Sequence, residues 1–465
     1  MASAEAVGGK GALPREREFL GHPLGLTILF GTEMWERFSY YGMRALLVLY
    51  LTKYLLLPGH VEYVWGYPAI KGMFEWFSGG HLEVQPISSL IYGTYTGLVY
   101  FTPLLGGWIA DKLFGQKRVV VVGIILMAFG HFMMAFETML FPALFILIIG
   151  VGVFKVNTTS QVGSLYTPGD HRRDRAYSIF YVGVNLGAFL APIVCGTLGE
   201  EVGWHYGFAA AGVGMLIALA TYLIGFKTLP EDELTKRKAA HKERAPLTRQ
   251  EWSAVWTLIL LCIPLTLYWA CYEQQGNTIA LWADARTDRS INLLFWRGEI
   301  PVTWFQAFNP FMIFAFTPFV VSLWARQTKT GSEPTTATKM AFGCLCLAAA
   351  NMILVVAGSF AGANGQSSWL WLFFYFAVLT VGEIYLSPTS LSLYSKVAPP
   401  QILSTMMAVN FIPNFLGGGF LAGWLGSFWS GMDKMNFFEM IAAISAAAGI
   451  IVWLFNRPLK PLLKE

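Results

Sequence analysis

The sequence predicts an all-α polytopic membrane protein with twelve transmembrane helices in two six-helix bundles. Three observations predict it. With 55% hydrophobic and only 13% charged residues and a mean hydropathy of +0.52, the chain is more apolar than a soluble domain. Apolar runs of about 20 residues, enough to cross roughly 30 Å of hydrocarbon, recur twelve times along it. Lys and Arg alternate with those runs: with both termini cytoplasmic, 23 of the 32 fall in inside segments, six outside and three within spans. Cations accumulate on the cytoplasmic side in this way.

Residues 1–22 form a polar tail of mixed charge without the short apolar core of a signal peptide, so the first helix is expected to serve as insertion signal. The N-terminal bundle, 23–228, holds spans near 24–56, 86–110, 118–136, 140–166, 175–198 and 205–228. A cytoplasmic linker, 229–250, follows; its run PEDELTKRKAAHKERAPLTRQE is the one stretch dense in charge, too short to hide two more crossings. It reads as a solvated tether, with a regulatory or lipid-binding role as the alternative. The C-terminal bundle, 251–457, holds spans near 252–282, 306–326, 338–360, 368–396, 401–428 and 437–456, leaving a cytoplasmic tail at 458–465. Two halves joined this way are the layout of transporters built from parallel repeats. Pro and Gly inside the spans, such as Pro103, Pro192, Pro388, Pro413 and Gly417 to Gly419, mark bends and close crossings.

The net charge of +4 follows from this topology and is no argument for nucleic acid. Cys195, Cys262, Cys271, Cys344 and Cys346 all sit in apolar spans without a CxxC pair, and read as small core residues. The seven histidines are scattered, with no HExxH, so no metal set supports an enzyme. His131 alone lies within the third span and reads as a packed histidine.

The chemistry lies in charges placed where they are expensive. Glu33, Glu36, Arg37, Tyr40, Tyr41 and Arg44 fall at helical spacing on one stripe of the first span. Each charge at a helix centre costs roughly 2.5 to 3.5 kcal/mol on insertion scales, and such groups persist when they face a wet cavity and pair. Lys155 in the fourth span, Glu273 in the seventh and Glu383 in the tenth complete an inventory of three cations and four carboxylates. Cross-helix pairs are the expected resting arrangement. The cations belong to the first half, Glu273 and Glu383 to the second, so opposite charges are placed to latch the halves. A channel has no use for such a latch.

Between the second and third spans, Gly107-Trp-Ile-Ala-Asp111-Lys112-Leu-Phe-Gly115-Gln-Lys117-Arg118 resembles the signature loop of the major facilitator superfamily. Glu33 to Gly42, EMWERFSYYG, fits the ExxERFxYYG motif of the proton-dependent oligopeptide transporter family, and Phe180-Tyr181-Val-Gly-Val-Asn185-Leu-Gly187 is similar to its FYxxINxG motif. The segments around Lys155, Glu273-Gln274 and Gly382-Glu383 match as well. On these motifs the chain resembles a bacterial member without the two extra helices that many of them carry between the halves.

The resemblance implies a proton-coupled symporter that imports di- and tripeptides across the cytoplasmic membrane by alternating access. It implies a multi-pass inner-membrane monomer among lipids, with protons as coupling ion and no cofactor. Arg37, Arg44 and Lys155 are implied at the peptide carboxylate, and Glu383 with Asn185 and Asn309 at the amino end. Tyr40, Tyr41, Tyr100 and Trp269 would line side-chain pockets, since aromatics offer area and a polar tip. Glu33, Glu36 and Arg37 would carry the proton, Glu273 would be gate and proton site if it faces Arg44, and Lys155 with Glu383 would be the substrate-sensitive pair. Gly93 stands where animal relatives use a His, which shifts weight to the carboxylates. The alternatives are a related transporter for nitrate or another small anion and, for single residues, plain structural roles: an ion pair for Lys155 with Glu383, interhelical hydrogen bonds for Asn185 and Asn309, packing for Tyr100 and Trp269.

Overall fold

The computed structural model describes residues 18–19, 21–109, 115–167, 170, 172–230, 246–293 and 296–463; Asp111 and Lys112 of the signature loop, most of the charged linker and the extreme ends lie outside them. Strands β1 (Glu18–Phe19) and β2 (His22–Pro23) pair antiparallel ahead of α1 (Leu24–Tyr50), which runs on through a π-helical turn at Leu51–Leu55. The connection that follows contains a surface helix, α2 (Tyr67–Ser78). Gly66 at φ 81° and Pro68 in the first turn start it. It lays Tyr67, Ile70 and Phe74 on the first half and leaves Trp76 and Phe77 exposed.

The first half continues with α3 (Val84–Ile109), α4 (Gln116–Met133), α5 (Leu140–Ser164), α6 (Arg172–Ala191) with π-helical turns to Val202, and α7 (Trp204–Ile224). The second half opens with α8 (Arg249–Tyr272), started by a reciprocal cap in which Thr248 and Glu251 satisfy each other's backbone N–H groups. A 3-10 turn at Glu273–Gly276 leads to α9 (Thr278–Ala285). Three short strands, β3 (Thr287–Asp288), β4 (Ser290–Leu293) and β5 (Trp296–Glu299), precede a 3-10 turn at Val302–Ala307 and α10 (Phe308–Thr330). Then come α11 (Thr336–Ser359), β6 (Ser367–Ser368) beside β3, and α12 (Leu370–Val397). The eleventh crossing is broken into α13 (Leu403–Val409), a π-helical stretch at Asn414–Leu421 after Pro413, and α14 (Ala422–Ser427). The chain closes with α15 (Lys434–Leu454) and α16 (Asn456–Leu463).

Ten described segments are long and apolar enough to cross a membrane. With α1 and α3 they make twelve crossings. Those two fall short on composition and not on length, 27 and 26 residues: α1 carries four charges, and α3 carries Ser, Thr, Tyr and Gly through its first half. Both face the middle of the molecule.

Among the described residues two large hydrophobic cores form, one built by residues from Leu26 to Leu229 and one almost wholly by residues from Ala254 to Leu459, with a small third cluster at Val320, Ile384 and Tyr385. Where the halves cross, the packing is backbone to backbone. A Cβ on Gly93 of α3 would come within 2.6 Å of the Gly419 carbonyl and of Gly423 Cα, so no side chain, histidine included, fits there in this arrangement.

Among the described residues, the polar ties between the halves gather at the end where α1 finishes. Lys53 Nζ meets Asp284 Oδ1 at 2.7 Å, Ser89 Oγ donates to Asn277 Oδ1 at 2.8 Å, and Gln85 Nε2 donates to the Gly426 carbonyl at 3.0 Å. Gln306 Nε2 donates to the Ala45 carbonyl at 3.4 Å. Toward the opposite end the halves touch through the rings of Phe101 and Phe415, 4.9 Å apart. The molecule is thus sealed at the α1 C-terminal end.

Candidate functional site

A cavity of about 140 Å³ lies between the halves. Tyr41 and Arg44 reach it from α1, Tyr100 from α3, Tyr181 and Asn185 from α6, and Trp269 and Tyr272 from α8, with Glu273 just beyond. Asn309 comes from α10 and Glu383 from α12. Eight residues singled out in the sequence therefore share one wall-to-wall space: Tyr41, Arg44, Tyr100, Asn185, Trp269, Glu273, Asn309 and Glu383. Arg37, Tyr40, Lys155, Glu33 and Glu36 are not among its lining.

Arg44 and Glu273 form an ion pair across the two halves, 5% and 1% exposed. Arg44 Nε also donates to Tyr92 Oη at 2.7 Å, and its guanidinium lies over the rings of Tyr41 and Tyr92 at 5.8 and 5.5 Å. The second half-site is an acceptor. Asn309 Nδ2 donates to Glu383 Oε2 at 2.8 Å and to Thr380 Oγ1 at 3.1 Å, which fixes the carboxylate at the cavity wall. Asn185 is turned differently: its Nδ2 donates to the Tyr181 carbonyl of its own helix at 3.0 Å.

The remaining charges form a separate layer within the first half. Arg37 holds both oxygens of Glu36, with Nη2 to Oε1 at 2.7 Å, and lies 3.5 Å from Glu33. Glu33 accepts from Thr158 Oγ1 of α5 at 3.1 Å. Lys155 Nζ sits 4.8 Å from the centroid of the Tyr100 ring. Tyr100 lines the cavity and Lys155 does not. Tyr40 packs edge-on to Tyr41 at 5.1 Å, under Tyr95 at 6.5 Å, with Arg37 over its own ring at 5.0 Å.

Two expectations are corrected here. Among the described residues no ion pair joins Lys155 to Glu383: Asn309 holds the carboxylate, and the ammonium lies against the Tyr100 ring. Nor are all the charges paired across helices. Arg37 is satisfied within its own helix turn, where a neighbouring glutamate outcompetes a partner that must arrive with the other bundle.

Tyr181, Tyr272, Gln275 and Gln306 also line the cavity, and sequence reasoning did not select them. Tyr181 stands one helical turn before Asn185 in the same motif, and Tyr272 immediately precedes Glu273, so their positions carried a readable signal. Gln306 lies in a 3-10 turn whose direction the sequence does not encode.

Residues 68–422 match the Major Facilitator Superfamily. The chain is 31% identical over 519 residues to a di-/tripeptide transporter of Lactococcus lactis subsp. cremoris, covering 97% of this chain and 98% of that protein. It is 28% identical over 505 residues to the peptide transporter YePEPT of Yersinia enterocolitica, covering 94% and 93%. Among solved structures, a variant of the peptide transporter POT in complex with alafosfalin superposes with a TM-score of 0.80 at 30% identity, covering 97% of this chain and 98% of that one.

Proposed function

We infer the function from membership and geometry together: this chain belongs to the proton-dependent oligopeptide transporter family of the major facilitator superfamily, and it moves di- and tripeptides across the membrane by alternating access. The relatives at 31% and 28% identity are named for peptide transport over almost the whole chain. Protons drive the movement, and both termini lie in the cytoplasm of a bacterial inner membrane. On that orientation the sealed end is the outer one, and the cavity is poised toward the cytoplasm. No cofactor is required.

The observation that carries this reading is the polarity of the cavity. Its cation, Arg44, comes from the first half, and a carboxylate held open by an amide, Glu383 with Asn309, comes from the second. A short peptide is a zwitterion, so its amino end belongs at Glu383 and its carboxylate toward Arg44. Tyr41, Tyr100, Tyr181 and Trp269 then surround the side chains. Arg44 is engaged by Glu273 in the sealed state, so a proton on Glu273 would free the guanidinium for substrate or let the halves part. Glu33 and Glu36, clamped by Arg37 one layer away, are the carriers on which gradient coupling depends. Lys155, against the Tyr100 ring and outside the cavity lining here, meets the peptide carboxylate in another state of the cycle.

The test is uptake of labelled dialanine into proteoliposomes under an imposed inward proton gradient, with alanine, nitrate and tripeptides as competitors. Uptake that follows the gradient and is competed by tripeptides supports the reading. Uptake indifferent to the gradient, or abolished by nitrate and not by peptides, overturns it in favour of a small-anion transporter.

A further inference from the structure

The Arg44 to Glu273 pair lies in the cavity wall, where substrate competes for it. A second closure sits elsewhere. Glu200, in the π-helical end of α6, reaches across to the other half and accepts from the backbone N–H of Val302 and of Thr303, both at 2.8 Å, one on each carboxylate oxygen. Thr303 Oγ1 donates to the same side chain at 2.7 Å. Beside it, Trp304 Nε1 donates to Thr197 Oγ1 at 2.8 Å. Every donor belongs to the second half and every acceptor to the first.

The chemistry makes this contact one-sided. Val302 and Thr303 open the 3-10 turn that leads into α10, and the first N–H groups of a helix have no partner of their own. A carboxylate is the acceptor such an end favours most, through both its hydrogen bonds and its charge. Val302 and Thr303 are 2% and 0% exposed, so the N–H groups must find an acceptor in the protein while the halves are together. The fit is tight: a Cβ at Gly196, one turn before Glu200, would collide with the Thr303 side chain. Glu200 lines no part of the cavity that Arg44, Glu273 and Glu383 share.

We propose that Glu200 is a second latch of the transport cycle, a positioning residue that holds the two halves closed at the α1 C-terminal end by capping the start of the α10 arm. The proposal rests on the alternating-access reading. Because the latch does not touch substrate, it sets how much of the protein is sealed at rest, and substrate and proton act through the Arg44 to Glu273 pair. Opening that end strips the carboxylate of three donors at once.

The test uses the full chain in liposomes with spin labels at Tyr63→Cys, in the α1 to α3 connection, and Ala363→Cys, in the α11 to α12 connection, both exposed. The five native cysteines are buried, so the labels report the introduced pair. Double electron–electron resonance then reads the ratio of separated to closed molecules. Glu200→Ala is expected to raise that ratio about tenfold, the scale of hydrogen bonds to a charged group. Glu200→Gln is expected to fall between it and the parent, because the amide oxygen still accepts one N–H. A distribution in Glu200→Ala identical to the parent overturns the latch. Should Glu200→Ala fail to fold, Thr303→Ala decides: it deletes one donor and leaves the backbone, so a smaller shift is expected and an unchanged distribution overturns the proposal. These distances need neither peptide nor gradient. A parent protein that takes up no dialanine while Glu200→Ala still opens would sink the transport reading and leave the latch standing.

Discussion

Arg44 is held three ways, by the Glu273 carboxylate, the Tyr92 hydroxyl and the faces of two tyrosine rings, while Glu383 is held by neutral groups, the Asn309 amide and the Tyr272 hydroxyl. That inequality sorts the residues by what their loss would do. Removing the charge of Glu383 leaves the fold intact, because Asn309 can bond a neutral amide as well. Glu383→Gln is therefore expected to lower dialanine uptake at least about tenfold through a raised KM, consistent with roughly 1.5 to 3 kcal/mol for a hydrogen bond to a charged group. Unchanged peptide KM in the reconstituted variant would refute the amino-end role. Glu33 and Glu36 are placed otherwise, away from the cavity lining and against Arg37. Glu33→Gln or Glu36→Gln is expected to abolish gradient-driven uptake while retaining counterflow exchange of labelled for unlabelled peptide. Equal loss of both activities would mark a structural or binding role instead.

At the scale of elements, α3 and the broken eleventh crossing are the parts most finely fitted. Gly93 and Gly97 of α3 lie directly on Gly419 and Gly423, with no side chain between the backbones. Gly93→Val forces that crossing apart, and overpacking of this kind costs typically about 1 to 3 kcal/mol. The expected outcome is loss of the sealed state with the individual halves still folded. It is measured as faster labelling of a cysteine at Ser89, which is fully buried here; labelling as slow as in the parent would show that the crossing yields elsewhere. The hydropathy of the sequence had marked these segments as spans and their Gly and Pro as bends. It did not say which glycines meet, because a close approach depends on two helices and each sequence run describes one. The surface helix α2 was missed for a related reason. Its apolar stripe is only 12 residues long, too short to register as a span, and its burial against the first half follows from where α1 and α3 deliver its ends.

For the whole molecule, the alternating-access reading makes a demand on the seal between the halves. Ser89 Oγ and Asn277 Oδ1 touch across it at 2.8 Å. A disulfide formed between Ser89→Cys and Asn277→Cys is expected to cut dialanine uptake more than about tenfold, the effect of removing one of two states the cycle must visit, and a reductant is expected to restore it. Full transport by the cross-linked protein would mean that this end never opens. The sequence by itself determined the class of molecule, because partition into a bilayer depends on runs of apolar residues and on the sidedness of Lys and Arg, both local properties. It also determined that α1 carries costly charges along one stripe, since helical periodicity alone puts them there. The pairing of those charges was decided only by tertiary structure. Arg37 closes on Glu36 within its own turn, Arg44 crosses to Glu273, Lys155 lies against the Tyr100 ring, and Glu200 caps a turn 102 residues away. Coulombic and hydrogen-bond partners are chosen by distances of a few ångströms between separate helices, and one-dimensional spacing fixes such distances only inside a single helix.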